Sequence, residues 1–465
     1  ETADGDRMAG WDLQDYPGAA TFADRQVHHG GGQSLRMEGI DRADPQNGQA
    51  RLMQTVSVAP FRQYHLSVWI KTQDFETPQN AGADVLTPSG HDLAYVSWDI
   101  RRTQDWTQYH AVFNSLDNRQ VRVFLGVWEG KGGRIWWDDA QLEEVGLLNV
   151  LRRDGCPLTA RGEDGTVYAE GQDFAPVLDP SLDRARSTGS YDVYHAPPVL
   201  RLIPHSRLKA GQRLRVSFFS AVILYDGQVP CCLSEPKVYT LLQAQIQRAW
   251  GLFHPAGFFL SHDEIRVANW CETCLNRHLT PGQILADNVQ RCVGMVRAVA
   301  PKARILIWSD MFDPYHNAHD DYFLVNGTWA GSWEGLPKDI IVVNWNFPKR
   351  GQSLPWFAGR GVAQLLAGNR DGSPERIRTW LEDAPPSVVG AMYTTWQRRY
   401  ENLEAFAKAA WEQKGRGNRG QGREGYRREE GRDLAPSPPH DLGPWGPNLF
   451  HKRTEVGGTL HVDPF

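Results

Sequence analysis

The sequence lacks the features that would place it in several specialised classes of protein. No apolar run approaches the ~18 residues that a membrane-spanning helix needs. The formal charge of -5 over 465 residues shows none of the basic excess of a general nucleic-acid binder. The six cysteines form no regular disulfide ladder. We therefore predict a globular protein that binds neither a membrane nor nucleic acid, and whose partner is small or neutral.

One pair of cysteines has the spacing of a metal or redox motif. Cys271 and Cys274 flank two residues, which matches half of a zinc site. A second pair at such a spacing is absent from the sequence. Ordinary buried or loop thiols are therefore the favoured interpretation, and we predict no metal ligands among them.

Tryptophan is abundant instead, with 18 residues. Flat aromatic faces are the surfaces on which sugar rings stack, although most tryptophans in proteins belong to cores. The excess therefore favours carbohydrate as the partner without establishing it.

The length is sufficient for two or three domains. The residue patterns divide the chain into segments 1–145, 146–207, 208–412 and 413–465. The chain starts at Glu1 without a methionine or a signal peptide, which indicates a processed form or a fragment. The compartment is therefore undetermined, with a secreted or periplasmic location favoured.

Residues 1–145 have the pattern of a β-sandwich. Short runs of alternating apolar and polar residues recur between turn signals, as in all-β domains. The runs are 34–38, 51–58, 64–70, 93–98, 108–113, 121–127 and 133–137. The next segment, 146–207, reads as an extended connector with a hairpin turn at 163–168. The last segment, 413–465, is rich in Gly and Arg and then in Pro, so we expect disorder there.

The order of these runs, from 10–11 and 32–36 to the closing 135–143, resembles that of the jelly-roll carbohydrate-binding modules. The resemblance implies a jelly roll and a sugar ligand. In related modules the position of Asp139 often holds a structural calcium, so the resemblance also implies a possible calcium site there. Three tryptophans are candidates for stacking on a sugar, although a core position suits each at least as well: Trp98, Trp106 and Trp128.

From about residue 208, apolar strands alternate with amphipathic stretches. Such βα repetition predicts a parallel sheet, and polar and aromatic residues just after the strands favour a TIM-type (β/α) barrel over 208–412. Six strands are predicted, at 214–219, 257–261, 304–309, 340–345, 362–367 and 388–393. A closed barrel needs eight, so we expect the first two βα units to precede this chain or to be replaced by another structure.

The most informative stretch is the apolar run 258–261, which leads into the adjacent acids Asp263 and Glu264. Burying carboxylates costs several kcal/mol unless they are paired, and barrel enzymes place catalytic groups at the carboxyl ends of their strands. We therefore predict that these acids lie at an active-site rim. The alternative is a helix N-terminus, where acids simply complement the helix dipole.

Over about 208–412 the strand ends resemble the catalytic barrels of glycoside hydrolase family 20, the β-N-acetylhexosaminidases and their relatives. The resemblance implies that Glu264 is the general acid and that Asp263 orients the 2-acetamido group of the substrate, with no cofactor. Further residues are predicted to bind the substrate, and these are His262, Arg266, Trp308, Asp310, Trp345, Tyr393 and Trp396.

Two functions from different classes stay open. The first is a glycoside hydrolase that acts on oligo- or polysaccharide, exo-acting on 2-acetamido sugars by a substrate-assisted retaining mechanism. The second is a non-catalytic carbohydrate-binding protein with a degenerate barrel, and a metal or redox protein comes third. If the substrate lacks an acetamido group, another carboxylate must act in its place: Asp310, Asp313 or Glu334.

Overall fold

The computed structural model describes residues 3–4, 7–182, 193–222, 224, 231–369, 372–395, 400–411 and 457–462. Its amino-terminal part contains twelve strands and one short helix. The strands are β1 (Ala3–Asp4), β2 (Arg7–Met8), β3 (Asp12–Leu13), β4 (Thr21–Asp24), β5 (Ser34–Glu38), β6 (Ala50–Ser57), β7 (Gln63–Gln73), β8 (Ala81–Leu86), β9 (Asp92–Ser97), β10 (Gln104–Asn114), β11 (Gln120–Val127) and β12 (Arg134–Val145). Helix α1 is Ile40–Ala43.

Ten of these strands form two five-stranded antiparallel sheets. The first sheet has the order β10-β7-β12-β5-β4 and the second has the order β3-β6-β11-β8-β9. Alternation along β11 shows why the sheets pack: Val121, Val123 and Leu125 are almost fully buried, whereas Arg122 and Phe124 are only partly buried. The predicted β-sandwich is confirmed.

A third, smaller antiparallel sheet follows. It contains β13 (Thr159–Gly162), β14 (Val167–Tyr168) and β15 (Leu214–Ala221). The predicted turn at 163–168 is present, since β13 and β14 pair antiparallel across it. The segment 146–207, predicted to be an extended connector, thus shares a hydrophobic core with β15. This core includes Leu147, Phe174 and Phe218.

Strand β15 covers the first predicted barrel strand, 214–219, but it runs antiparallel to β13. The prediction that it belongs to the parallel sheet is therefore wrong. An apolar run reports burial, and it carries no information about the direction of the neighbouring strand.

The remaining strands and helices form an α/β unit. Its strands are β16 (Gly257–Phe259), β17 (Val267–Ala268), β18 (Arg304–Trp308), β19 (Leu324–Val325), β20 (Ile341–Asn344), β21 (Ala363–Asn369) and β22 (Val388–Thr394). Its helices are α2 (Pro236–Phe253), α3 (Glu272–Leu275), α4 (Pro281–Val299), α5 (Arg350–Gly359), α6 (Arg376–Glu382) and α7 (Leu403–Trp411). No helix in the described ranges is long and apolar enough to cross a membrane.

Five of these strands form one parallel sheet in the order β16-β18-β20-β21-β22, as predicted for the later strands of the series. Within the described residues, no pairing joins β16 to β22, so the sheet is open and a closed barrel is not observed. Strands β17 and β19 form a separate parallel pair beside it.

Helix α4 shows how sequence signals position this unit. Thr280 caps the helix, its side chain accepting from the Gln283 backbone while the Gln283 side chain accepts from the Thr280 backbone, and Pro281 opens the first turn. The buried face of α4, including Leu285 and Val289, shares one core with Ile305 of β18.

Of the predicted tail 413–465, only β23 (Gly457–Val462) falls within the described residues. It pairs antiparallel with β15. The rest of that prediction lies outside the described residues.

The sandwich core gives a stability prediction. Leu125→Ala removes a side chain that is 1% exposed, and the resulting cavity should lower the free energy of unfolding by ~2–5 kcal/mol. Leu178→Ala is the matched control, because Leu178 is 65% exposed and its truncation should change stability by less than ~0.5 kcal/mol. Urea unfolding monitored by tryptophan fluorescence measures both. Equal effects of the two substitutions would contradict the observed packing.

Candidate functional site

The segment that carries Asp263 and Glu264 leaves β16 in a strained conformation. The parallel pairing with β18 continues one step beyond the strand, since the Leu260 N–H donates to the Leu306 carbonyl oxygen at 2.8 Å. Ser261, His262 and Glu264 then have φ values of 58°, 68° and 48°. Residues other than glycine hold this left-handed conformation at a cost of ~1–3 kcal/mol each, and only where the surroundings enforce it.

The buried carboxylate of Asp310 holds the backbone at Glu264 in this conformation. The backbone N–H of Glu264 donates to Asp310 Oδ2 at 2.8 Å, and Asn317 Nδ2 donates to the same oxygen at 2.9 Å. Trp345 Nε1 donates to Asp310 Oδ1 at 3.2 Å. Asp310 therefore connects the ends of β16, β18 and β20. Asp310 and Trp345 thus meet at the strand ends, and their role in substrate binding stays a prediction.

The acids at this site differ in their electrostatic environments. Burial raises the pKa of Asp310 to about 7, although its hydrogen bonds oppose the shift. Burial, with a contribution from the charge of Glu264, also raises the pKa of Asp263. Glu264 forms an ion pair with the buried Arg266 at 2.8 Å. The raised pKa of Asp263 suits it as a proton donor, a role that the family resemblance gives to Glu264.

Two other predicted residues lie near this site with different contacts. His262 Nδ1 lies 2.7 Å from the Leu260 carbonyl oxygen, and Nε2 lies 2.8 Å from Asn288 Oδ1 on α4. His262 thereby anchors the strained segment to the helix layer. Trp308 is half-buried at the end of β18, and its ring centroid lies 4.9 Å from that of Phe259.

Tyr393 of the last strand is not brought to this cluster. Tyr393 packs against Phe406 of α7 with ring centroids 5.3 Å apart, within the core between sheet and helices. Successive side chains of a strand face opposite sides, and Tyr393 faces the helical side. Trp396 lies outside the described residues.

The other two acids predicted to act on a substrate without an acetamido group, Asp313 and Glu334, lie in different environments. Asp313 is fully buried, and burial raises its pKa. Glu334 is exposed and forms an ion pair with Arg360 at 3.2 Å. Asn317 was not indicated by the sequence at all, because it follows a 3₁₀ turn and no motif marks it.

A second candidate site lies on the sandwich. At the ends of β8, β9 and β11 a cavity of about 330 Å³ opens, lined by Gln79, Asn80, Ala81, Gly82, Ala83, Tyr95, Val96, Ser97, Trp128 and Glu129. The half-buried rings of Tyr95 and Trp128 have centroids 6.5 Å apart. A Cβ on Gly82 would lie 2.1 Å from the Val96 carbonyl oxygen, so this wall requires glycine.

Hydrogen bonds fix one edge of this cavity. The backbone N–H of Trp128 donates to the Asn80 carbonyl oxygen at 2.8 Å, and Asn80 Nδ2 donates to the Glu129 carbonyl oxygen at 3.1 Å. Together with Gln79 and Ser97, these residues place amide, hydroxyl and carboxylate groups beside two aromatic rings.

The other two candidate tryptophans differ from Trp128. Trp98 is buried in the sandwich core, and its Nε1 donates to the His110 carbonyl oxygen at 2.9 Å. Trp106 is half-buried on the first sheet, where the ring of His29 contacts it edge-on at 5.8 Å.

Rings from the chain itself also cover part of the first sheet. His29 stacks on Trp69 with centroids 3.9 Å apart. Tyr194, which follows the third sheet's hairpin in sequence, stacks on His65 at 3.5 Å with an interplanar angle of 2°.

The carboxylates at the implied calcium position bind protein groups. Asp139 Oδ2 lies 2.8 Å from His29 Nδ1, and Asp138 Oδ2 accepts from the backbone N–H of His29 at 2.6 Å. Across the described part of the chain, the one compact group of three or more His, Cys, Asp or Glu ligand atoms consists of cysteines. These carboxylates thus contact His29, and calcium at Asp139 stays a prediction.

No known family profile and no curated protein matches this chain. Solved structures are similar to part of it. The xylan-binding CBM22-1 domain of Paenibacillus barcinonensis Xyn10C has 13% identity and a TM-score of 0.23, covering 30% of this chain and 88% of that one. TmCBM61, solved in complex with β-1,4-galactotriose, has 13% identity and a TM-score of 0.24, covering 30% and 92%.

The enzymatically active domain of bacteriophage CBA120 tailspike protein 4 is also similar, with 14% identity and a TM-score of 0.24. The match covers 30% of this chain and 20% of the tailspike domain. Similarities this low do not establish what the present chain binds.

Asp310 gives a pH prediction. An aspartate in the unfolded chain has a pKa of ~3.9, so between that value and about 7 the folded protein retains a proton that the unfolded chain has released. Asp310 should therefore lower the free energy of unfolding as pH rises from ~4 to ~7. Asp310→Asn removes this titration, and its stability relative to wild type should rise by up to about 4 kcal/mol across the window.

Urea unfolding at a series of pH values measures the difference. Asp320→Asn is the control, because Asp320 is exposed and its variant should keep a constant offset from wild type. Parallel curves for wild type and Asp310→Asn would show that Asp310 titrates as an ordinary carboxylate.

Proposed function

We propose that the protein binds carbohydrate, and that the sandwich cavity beside Tyr95 and Trp128 is the binding site. The supporting observation is the pair of half-buried rings in a cavity of about 330 Å³. Small-molecule sites usually have volumes of ~300–1,000 Å³. The cavity is at the lower end of that range, which suits a short stretch of a glycan.

The lining has the chemistry that a sugar needs. The C–H faces of a pyranose stack on aromatic rings, and its hydroxyls exchange hydrogen bonds with amides, hydroxyls and carboxylates. Trp128 and Tyr95 supply the first kind of group, and Gln79, Ser97 and Glu129 supply the second. The site contains no Lys or Arg to favour an anionic ligand.

The binding proposal predicts a loss on truncation of the ring. Trp128→Ala should weaken the binding of the preferred polysaccharide by ~2 kcal/mol or more, as for central aromatic anchors in interfaces. Affinity electrophoresis against xylan, β-glucan, galactan and chitin derivatives identifies the ligand, and calorimetry measures the change.

Trp411→Ala is the matched control, because Trp411 is 66% exposed on α7 and away from the sandwich. Binding that is lost in Trp106→Ala and retained in Trp128→Ala would move the site to the first sheet. Failure to bind any glycan would reject the proposal.

A second candidate function is glycoside hydrolysis at the acid cluster. Three neighbouring carboxyls favour it. The pKa values of Asp263 and Asp310 are raised, and Glu264 is ion-paired within a strained stretch of backbone. In this reading Asp263 donates the proton to the leaving oxygen, and Glu264, held by Arg266, faces the developing positive charge on the sugar. The buried Asp310 positions the backbone of Glu264. The parallel strands would then be the later part of a TIM-type barrel.

Hydrolysis can be tested with aryl glycosides that carry good or poor leaving groups, with and without a 2-acetamido group. Asp263→Asn should slow poor leaving groups by ~10²–10⁴-fold and spare activated phenolates, which need little protonation. Glu264→Gln should slow both classes. Glu334→Gln should change neither, because Glu334 is exposed and lies in a separate ion pair. Selective loss on poor leaving groups in Glu264→Gln would restore Glu264 as the acid, and inactivity of wild type on every glycoside would reject hydrolysis.

A further inference from the structure

Three cysteine sulfurs converge in the core of the α/β unit. Cys232 Sγ lies 3.5 Å from Cys271 Sγ and 3.5 Å from Cys274 Sγ. All three residues are buried, with exposures of 5%, 2% and 4%. The sequence shows only the Cys271–Cys274 pair at metal spacing, because the third sulfur comes from a residue 39 positions earlier than Cys271.

The spacing of the sulfurs fits one tetrahedral ion. Zinc binds cysteine sulfur at ~2.3 Å, so two sulfurs on one tetrahedral zinc lie about 3.8 Å apart. A cavity of about 10 Å³ adjoins the three thiols, which is the space of a single small ion or atom. Its other lining is largely apolar and includes Ile284 and Trp329.

The short helix α3 has the turn expected of a metal-binding Cys-X-X-Cys loop. Cys271 is its N-cap residue, and Cys274 lies in the first turn. The backbone N–H of Cys274 donates to the Cys271 carbonyl oxygen at 3.0 Å. This hydrogen bond closes the turn, and the two sulfurs lie within 4.8 Å of each other.

A largely buried cation lies beside the same cluster. The Arg153 side chain is 11% exposed, its charge acts on the Cys232 and Cys271 sulfurs, and it forms an ion pair with Glu235 at 2.9 Å. A zinc ion with three thiolates carries a net negative charge, which this guanidinium would offset.

We propose that Cys232, Cys271 and Cys274 hold a structural zinc ion. The site joins the loop before α2 to helix α3. All three sulfurs are buried, and the adjoining cavity of about 10 Å³ is too small for a substrate, so the role of the ion is to stabilise the fold. It is independent of carbohydrate binding.

Zinc content of the full chain, purified under reducing conditions without chelators, tests the proposal. We expect one zinc per chain by inductively coupled plasma mass spectrometry. Removal with a strong chelator should lower the melting temperature, and added zinc should restore it. Cobalt in place of zinc should give the intense thiolate-to-cobalt charge-transfer absorption of a tetrahedral sulfur site.

Serine variants identify the ligands. Cys232→Ser, Cys271→Ser and Cys274→Ser should each lose the zinc or bind it far more weakly. Cys292→Ser is the matched control, because Cys292 is 4% exposed in the same unit but its sulfur contacts Asn288 outside the cluster. That variant should keep one zinc. The cobalt spectrum of the wild-type chain supplies a readout if a variant fails to fold.

Two results would overturn the proposal. The first is a reduced wild-type chain that neither contains zinc nor takes it up. The second is an intact mass lower by two hydrogens, with a disulfide between Cys232 and Cys271 or Cys274 as the stable form.

Discussion

The buried guanidinium of Arg266 is the interaction around which the sandwich and the α/β unit meet. Removing an arginine from water costs several kcal/mol unless acids and aromatic faces replace the solvent. Arg266 is 5% exposed, forms the ion pair with Glu264, and lies 5.4 Å from the ring centroid of Phe323. Burial raises the pKa of Asp92 on β9, and the charge of Arg266 opposes part of that shift. Acids from both units thus lie within the field of one cation.

Strand β9 connects this junction to the proposed glycan site. Asp92 lies at this junction. The burial of the neighbouring Asp84, together with the charge of Asp92, raises the pKa of Asp84 to about 8. Three residues farther along the same strand, Tyr95 lines the cavity and its backbone N–H donates to the Leu224 carbonyl oxygen at 2.8 Å. The two candidate sites thus share a structural element. Val267 and Leu324 of the α/β unit belong to the sandwich core, which limits how far the units can move apart.

Much of the fold could be predicted because local patterns report burial. Strand β5 has the predicted bounds Ser34–Glu38, and the acids after β16 lie at the end of a parallel sheet as predicted. Strand direction is not local information, so β15 was assigned to the wrong sheet. A strand end also does not say which face a side chain takes, and Tyr393 packs on the helices for that reason. Likewise, no spacing rule connects Cys232 to Cys271, because the chain fold alone brings their sulfurs together.

The stack of Tyr194 on His65 has a consequence for studies of isolated domains. In the intact chain the tyrosine covers His65, and its ring also lies 5.1 Å from that of His110. A fragment that ends after β12 lacks Tyr194 and uncovers a flat patch of imidazole on the first sheet. Sugars or aromatic additives that adhere to this patch would report a surface that the whole protein does not present. Ligand specificity measured on the excised sandwich therefore belongs to the fragment until the same ligand is recovered with the full chain.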